Sequence, residues 1–256
     1  MTSQRLKGKR AIVTGGGSGI GRAAARKLGE EGASVAVLDV NLEAAKQVAD
    51  DITKVGGRAL ALAVNVASEA QVTDAVSEAE QRFGGLDTVI SNAGILLFGQ
   101  DTVATELDLE VWQKCIDVNL TGMFLTCKHG LRALQRNGAG SLVITASPTG
   151  THGSAPTLTA YSASKGGTLG LMRILTVDYV KQNIRVNAVL PGTTKSPLVT
   201  TLMEDPATRA EYVAKIPMAR AAEPEEIANV IAFLASDEAS YVTGAAWYAD
   251  GGLTAI

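Results

Sequence analysis

Arg10-Ala11-Ile12-Val13-Thr14-Gly15-Gly16-Gly17-Ser18-Gly19-Ile20-Gly21-Arg22-Ala23-Ala24-Ala25-Arg26-Lys27-Leu28 decides the fold. The first five residues read as a strand, and those after Gly21 are mostly good helix formers. Glycine has no Cβ, so the turn between them can be sharp and can bring backbone N–H groups against a pyrophosphate. The helix opening behind the turn adds unpaired N–H donors and the positive end of its dipole. A glycine-rich turn alone is weak evidence. Placed between a strand and a helix, it reads as a dinucleotide-binding turn with Gly15, Ser18, Gly19 and Gly21 around the phosphates.

The alternation begun there runs along the chain. Arg10–Thr14, Ser34–Asp39, Ala59–Asn65, Leu86–Ser91, Ser141–Thr145 and Arg185–Leu190 read as strands, while Ile20–Glu31, Leu42–Lys54, Ser68–Phe83, Glu110–Arg136, Ser162–Lys181 and Glu225–Leu234 read as helices. Such alternation specifies a parallel sheet with right-handed crossovers: an α/β, Rossmann-type doubly wound sheet of about seven strands with helices on both faces. Ser68 with Gln71 reads as a capping-box pair, Pro224 precedes an apolar-periodic run, and Gly56-Gly57 closes the second helix. No Pro/Ser-rich linker interrupts the sequence, so residues 1–256 read as a single domain. The least regular stretch, 191–217, is the expected mobile substrate loop over the site.

Composition agrees with this class and excludes others. Of the 256 residues 46% are apolar and only 4% aromatic, a balance suited to close helix-on-sheet packing. At this length about 75% of the unfolded surface can be buried, so the core needs no staples. Cys115 and Cys127 fit neither a zinc knuckle nor a CxxC pair and read as buried apolar side chains of a reducing compartment. The net charge of -3, with Lys and Arg scattered, argues against a nucleic-acid surface. The first ten residues are polar and lack the apolar run of a secretory signal, and no segment reaches the roughly 18 apolar residues of a membrane span. A cytoplasmic protein with no membrane partner and no bound metal is expected.

The second strand ends in Asp39, eighteen positions after Gly21, near the interval at which such folds place an acid on the adenosine ribose. A carboxylate there accepts from ribose hydroxyls but repels a 2′-phosphate. No Arg or Lys at 15–21 or 40–45 neutralises one. The expected cofactor is therefore NAD rather than NADP.

Tyr161-Ser162-Ala163-Ser164-Lys165 sets a phenol and an ammonium four residues apart on one helical face. A free phenol titrates near about 10, so a base working near neutrality must be brought down by about 2–3 pH units, roughly 3–4 kcal/mol. A neighbouring cation and a positively charged nicotinamide can supply this together. The pair alone also arises by chance in helices; the dinucleotide turn is what gives it weight.

With these motifs in order, the sequence resembles the short-chain dehydrogenase/reductase family across nearly its whole length. The resemblance is carried by Gly19-Ile20-Gly21, Asn92-Ala93-Gly94, Val118-Asn119-Leu120, Ser147, Tyr161 with Lys165, Pro191-Gly192, Glu223-Pro224-Glu225-Glu226-Ile227, Tyr241-Val242-Thr243-Gly244 and Asp250-Gly251-Gly252. It implies a catalytic tetrad of Asn119, Ser147, Tyr161 and Lys165. Tyr161 is then the general acid/base, Ser147 holds the substrate oxygen, Lys165 lowers the phenol and binds the nicotinamide ribose, and Asn119 supports a water-linked proton path. Asn92, Ala93 and Gly94 would line the cofactor cleft, Ile20 would lie near the pyrophosphate or nicotinamide, and Pro191 and Thr194 would touch the nicotinamide end. Asn65-Val66 departs from the family, which commonly has aspartate at the first position; the amide oxygen of Asn65 is expected to accept from adenine instead. Ala146-Ser147-Pro148 also departs from a paired serine, and the interval from Ser147 to Tyr161 is about one residue longer than in many relatives.

The implied activity is NAD-dependent interconversion of a secondary alcohol and a ketone on a small-molecule substrate, by a homotetramer. Leu96, Leu97, Leu198, Leu202 and Met203 suit a partly apolar substrate. His129 reads as structural, and His152 as a residue of the substrate-side loop. Two alternatives share parts of the pattern: a sugar-nucleotide epimerase or dehydratase, and a non-catalytic NAD-sensing protein on the same fold.

Overall fold

The computed structural model describes residues 4–153, 155–199 and 205–255. Seven parallel strands, β1 (Arg10–Thr14), β2 (Ser34–Asp39), β3 (Arg58–Ala63), β4 (Thr88–Ser91), β5 (Gly140–Thr145), β6 (Ile184–Pro191) and β7 (Ala246–Ala249), form one sheet in the order 3-2-1-4-5-6-7. The chain reverses its winding between β1 and β4, so the carboxyl ends of these two neighbours face a crevice.

The helices are α1 (Gly19–Glu30), α2 (Leu42–Lys54), α3 (Glu69–Phe83), α4 (Leu109–Ile116), α5 (Gly122–Asn137), α6 (Thr159–Tyr179), α7 (Pro206–Ala214) and α8 (Pro224–Ala235). Inner strands are apolar at successive positions because both faces are covered. Ala11, Val13, Val35, Val37, Ile90, Val143 and Val189 pack with α1, α2 and α8. Ile12, Ala36, Leu38, Val89, Leu142, Ile144 and Leu190 pack with α3, α5 and α6 on the other face. Each fully buried Leu or Ile contributes roughly 1.5–3 kcal/mol, and this two-sided burial is what fixes the register.

The six strands and six helices read from sequence are all present, with boundary shifts that have local causes. β3 ends at Ala63 instead of Asn65 because the Asn65 side-chain oxygen accepts from Ala67 N (3.0 Å) and turns the chain out of the ladder. Ser68 does cap α3, but Gln71 accepts nothing from the Ser68 N–H in return: its Oε1 accepts from Asn65 N (2.8 Å), so the reciprocal half of the expected capping box is spent on the turn before. A complete box occurs instead at α8, where Glu223 and Glu226 bond each other's backbone N–H groups. The helix expected over 110–136 is divided by a π-helical segment, Asp117–Thr121. The stretch expected to be irregular contains α7, with Asp205 as N-cap accepting from Thr208 N (2.7 Å) and Pro206 in the first turn. No helix among the described residues is long and apolar enough to cross a membrane.

Candidate active site

The glycine turn and the end of β2 are interlocked. Gly15 (φ +63°) and Gly19 (φ +50°) have left-handed backbones that favour glycine. A Cβ on Gly21 would lie 2.0 Å from the Gly15 carbonyl oxygen, so the turn closes this tightly only without one. Ser18 is the N-cap of α1 but makes no capping bond with its side chain, which leaves the first-turn amides facing out of the turn. Asp39 Oδ2 accepts from Gly17 N (2.9 Å) and Oδ1 from Asn41 N (2.9 Å), so the strand-end acid stands directly against the phosphate turn. Ile20 packs its side chain onto the α1/α2/α8 core. Ser196 and Pro197, beyond β6, come over Gly19.

Asn92, Ala93 and Gly94 follow β4, across the crevice. Asn92 Nδ2 donates to the carbonyl oxygens of Thr14 (3.1 Å) and Gly15 (3.4 Å), while the Asn92 and Ala93 N–H groups donate to Thr14 Oγ1. Asn92 thus ties the end of β4 to the glycine turn, a structural role for a residue expected to line the cleft. Gly94 does border the site: a Cβ there would be 3.2 Å from Asn119 Oδ1 and 3.5 Å from Lys165 Nζ. Val66 turns its side chain inward against Gly122 at the start of α5.

The four residues of the expected tetrad come from three places in the chain: the π segment, the end of β5 and α6. Asn119 lies in the π segment, fully buried; its Oδ1 accepts from Ile95 N (2.7 Å), and its Nδ2 donates to Ile95 O (2.9 Å), Ser164 Oγ (3.2 Å) and Cys115 Sγ (3.2 Å). The side chain therefore clamps the loop after β4 to α6. A π-turn also spans five residues where the α-helical ladder spans four, which is a common way to re-aim groups at functional sites. Ser147 follows β5 and its Oγ accepts from Thr149 N (3.3 Å) and Thr149 Oγ1 (3.1 Å). Tyr161 and Lys165 lie in α6, with Lys165 Nζ 5.7 Å from the phenol ring centre and donating to the Thr145 carbonyl oxygen (2.9 Å).

Burial dominates the electrostatics. It pushes the Tyr161 phenol up to about 12, although hydrogen bonding to Ser147 works the other way. It pushes the Lys165 ammonium down to about 8. Both shifts disfavour the charged form. In the protein alone desolvation sets the direction for the phenol; the expected lowering draws on the positive charge of a bound nicotinamide as well as on Lys165.

Pro191 ends β6 in a buried position, and Thr194, also buried, bridges to Ala222. Leu96, Leu107, Trp112 and Ala155 pack around Cys115, Leu158, Ala160 and Tyr161, giving the phenol an apolar surround. Leu198 is partly exposed, whereas Leu202 and Met203 fall outside the described residues. His129 is buried between α5 and α3, 3.0 Å from Glu69 Oε1. His152 is exposed against Thr151 and the edge of Tyr248. Sequence reading missed Cys115, Ser164 and Asp101 at this site. Ser164 shares the helical face of Tyr161, an available hint. Asp101 is buried, and its carboxylate accepts from Ala160 N (3.0 Å) and Tyr161 N (2.9 Å), a pairing across about sixty residues that no local pattern announces.

Comparison with known proteins agrees with this geometry. A family model described as enoyl-(acyl carrier protein) reductase matches residues 15–254. The chain is 44% identical to cis-4-hydroxycyclohexanecarboxylate dehydrogenase of Sinomonas cyclohexanicum, over 96% of each chain. It is 40% identical to cyclohexanol dehydrogenase of Acinetobacter sp. (strain SE19), over 98% of this chain and 97% of that one. Among solved structures, a short-chain type dehydrogenase/reductase from Mycobacterium marinum superposes with a TM-score of 0.93 at 35% identity, covering 98% and 97% of the two chains. Another, described as an NAD(P) dependent gluconate 5-dehydrogenase from Beutenbergia cavernae and carrying NADP at low occupancy, has a TM-score of 0.92 at 34% identity over 98% of each chain.

Proposed function

The chain belongs to the short-chain dehydrogenase/reductase family, whose relatives oxidise CH–OH groups, and we propose that it interconverts an alicyclic secondary alcohol and its ketone with NAD as preferred coenzyme. The observation that carries this reading is the meeting of the Ser147 hydroxyl, the Tyr161 phenol and the Lys165 ammonium at the carboxyl edge of the sheet, beside a glycine turn that a single Cβ would block. The uncapped first turn of α1 and the carboxylate of Asp39 fit a dinucleotide there. Gly15, Ser18, Gly19 and Gly21 would hold the pyrophosphate, with Asp39 on the ribose. Asn65 and Val66 would hold the adenine, and Pro191 and Thr194 the nicotinamide end. When bound, NAD supplies the hydride acceptor and a positive charge.

The residues supply the rest. Ser147 donates a hydrogen bond to the substrate oxygen, and Tyr161 takes the hydroxyl proton as the carbon gives up hydride; the reverse steps return both. A phenol held near 12 by burial needs added positive charge to act as a base, and Lys165 and the nicotinamide together provide it. The ring substrates of the two curated relatives and the apolar surround of Tyr161 support a cyclic, partly apolar alcohol. Asp39 without a basic neighbour in the turn supports NAD over NADP. Exposed Ile174 and Val177 on α6 and Trp247 and Tyr248 on β7 support assembly as a homotetramer, which light scattering tests. The described parts of the expected substrate loop, 191–199 and 205–217, would border the substrate, and 200–204 lie outside the described residues.

The deciding experiment follows nicotinamide absorbance with cyclohexanol and related ring alcohols, with NAD and NADP in parallel. Tyr161→Phe is expected to lose roughly 100–10,000-fold in turnover while still binding coenzyme. Native turnover by this variant would refute the reading. Higher kcat/KM with NADP would refute the coenzyme preference alone. Absence of net NADH formation would point to an epimerase, which recycles its cofactor.

A further inference from the structure

The first turn of α6 lacks a cap of its own. Its N-cap residue is Leu158, whose side chain accepts nothing, and the residue before it, Thr157, has a left-handed backbone (φ +65°) that a β-branched residue adopts under strain. The unpaired N–H groups of that turn include the one belonging to Tyr161. They are satisfied from another part of the chain: each oxygen of the buried Asp101 carboxylate accepts one of them, from Ala160 and from Tyr161.

Asp101 is itself fixed by a tight turn, its N–H donating to the Leu97 carbonyl oxygen (2.8 Å). The segment from Ile95 to Asp101 is consequently fastened to α6 at both ends: Asn119 holds Ile95 and contacts Ser164, while Asp101 holds the backbone of Tyr161. Between these points Leu96 packs against the Tyr161 cluster. A carboxylate at a helix amino end also complements the dipole there.

We propose that Asp101 is the positioning residue for the Tyr161 phenol, setting the height and rotation of the first turn of α6 relative to Ser147. The inference rests on the reading of Tyr161 as the proton-transfer group. Asp101 is buried with both oxygens engaged by α6 amides, so it acts through the backbone that carries the phenol. Displacement of a reacting group by about 1 Å can lower a rate by about 100-fold, so a cap at this turn bears on turnover well beyond its local stability.

The test is a graded series, Asp101→Asn and Asp101→Ala, read against wild type and Tyr161→Phe. Turnover, coenzyme dissociation constant by fluorescence and melting temperature are measured on each protein. Asparagine keeps one accepting oxygen and is expected to lose about 3–10-fold in kcat; alanine keeps none and should lose roughly 10–100-fold. In both, coenzyme affinity should stay within about twofold of wild type, because the phosphate turn lies on the other side of the crevice. Wild-type kcat in Asp101→Asn overturns the proposal. So does a kcat that falls only in step with coenzyme affinity and melting temperature, the signature of a structural role. If the alanine variant does not fold, the asparagine variant alone decides by the same criteria. Native turnover by Tyr161→Phe would instead remove the functional reading on which the proposal stands.

Discussion

Replacing Lys165 with methionine probes the site through the stability of the fold. Methionine keeps an apolar stem but removes the ammonium and its bond to the Thr145 carbonyl. Burial holds that ammonium at about 8, against 10.5 for an ordinary lysine. Below pH 8 Lys165 is protonated in both the folded and the unfolded chain, and the folded state bears the full desolvation penalty. Between 8 and 10.5 the folded chain releases its proton first, so the unfolded chain binds more protons and stability rises with pH. The interval corresponds to about 3 kcal/mol. Tyr161 acts in the opposite sense only above pH 10, where the folded phenol retains a proton that the unfolded one loses. The window from 8 to 10 therefore isolates the lysine.

Urea unfolding of wild type and Lys165→Met, at equal protomer concentration and several pH values, gives the difference in stability between the two. That difference should move in favour of wild type by roughly 2–3 kcal/mol from pH 7 to pH 10, while other titrating groups cancel. At neutral pH the variant gains from the missing charge but leaves the Thr145 carbonyl without its donor, worth about 1–3 kcal/mol in the other direction. It should be about as stable as wild type there, yet inactive. A difference that stays flat across the window would refute the burial argument.

Two further substitutions test the scaffold. Gly21→Ala sets a Cβ against the Gly15 carbonyl and must open the turn, so coenzyme affinity by calorimetry should fall at least about tenfold, a loss of roughly 1.4 kcal/mol. Asn119→Ala leaves both backbone groups of Ile95 without partners; chemical denaturation should show a loss of about 2–4 kcal/mol, and turnover should fall with it.

The layered fold was legible because each inner strand carries an uninterrupted apolar run and each crossover a helical one. Residues such as Val13, Val37 and Ile90 need no knowledge of distant partners to be placed in a core. Tyr161 and Lys165 were legible from their spacing on one helical face, whereas Gly94, Asn119 and Ser147 joined them only through the family resemblance. What stayed hidden depends on contacts between remote segments. Asp101 has no local feature that marks it as the cap of a helix sixty residues away, and the π segment around Asn119 does not interrupt the apolar periodicity that made 110–136 read as one helix. The α7 helix had a readable signal in Asp205-Pro206, an N-cap followed by proline, but the irregular surroundings masked it. The depth of burial around Tyr161 stayed hidden for a different reason: spacing shows which charge is near, and not how little water is.

The double engagement of Asp39 bears on any attempt to re-engineer coenzyme choice. Its two oxygens brace the Gly17 and Asn41 amides, so the side chain is a strut of the turn as well as the proposed discriminator between coenzymes. Exchanging it for a small or basic residue would relieve repulsion toward a 2′-phosphate but also release both amides. A designer should then expect a looser grip on either dinucleotide unless a second change, on the neighbouring helix or in the turn itself, restores the brace.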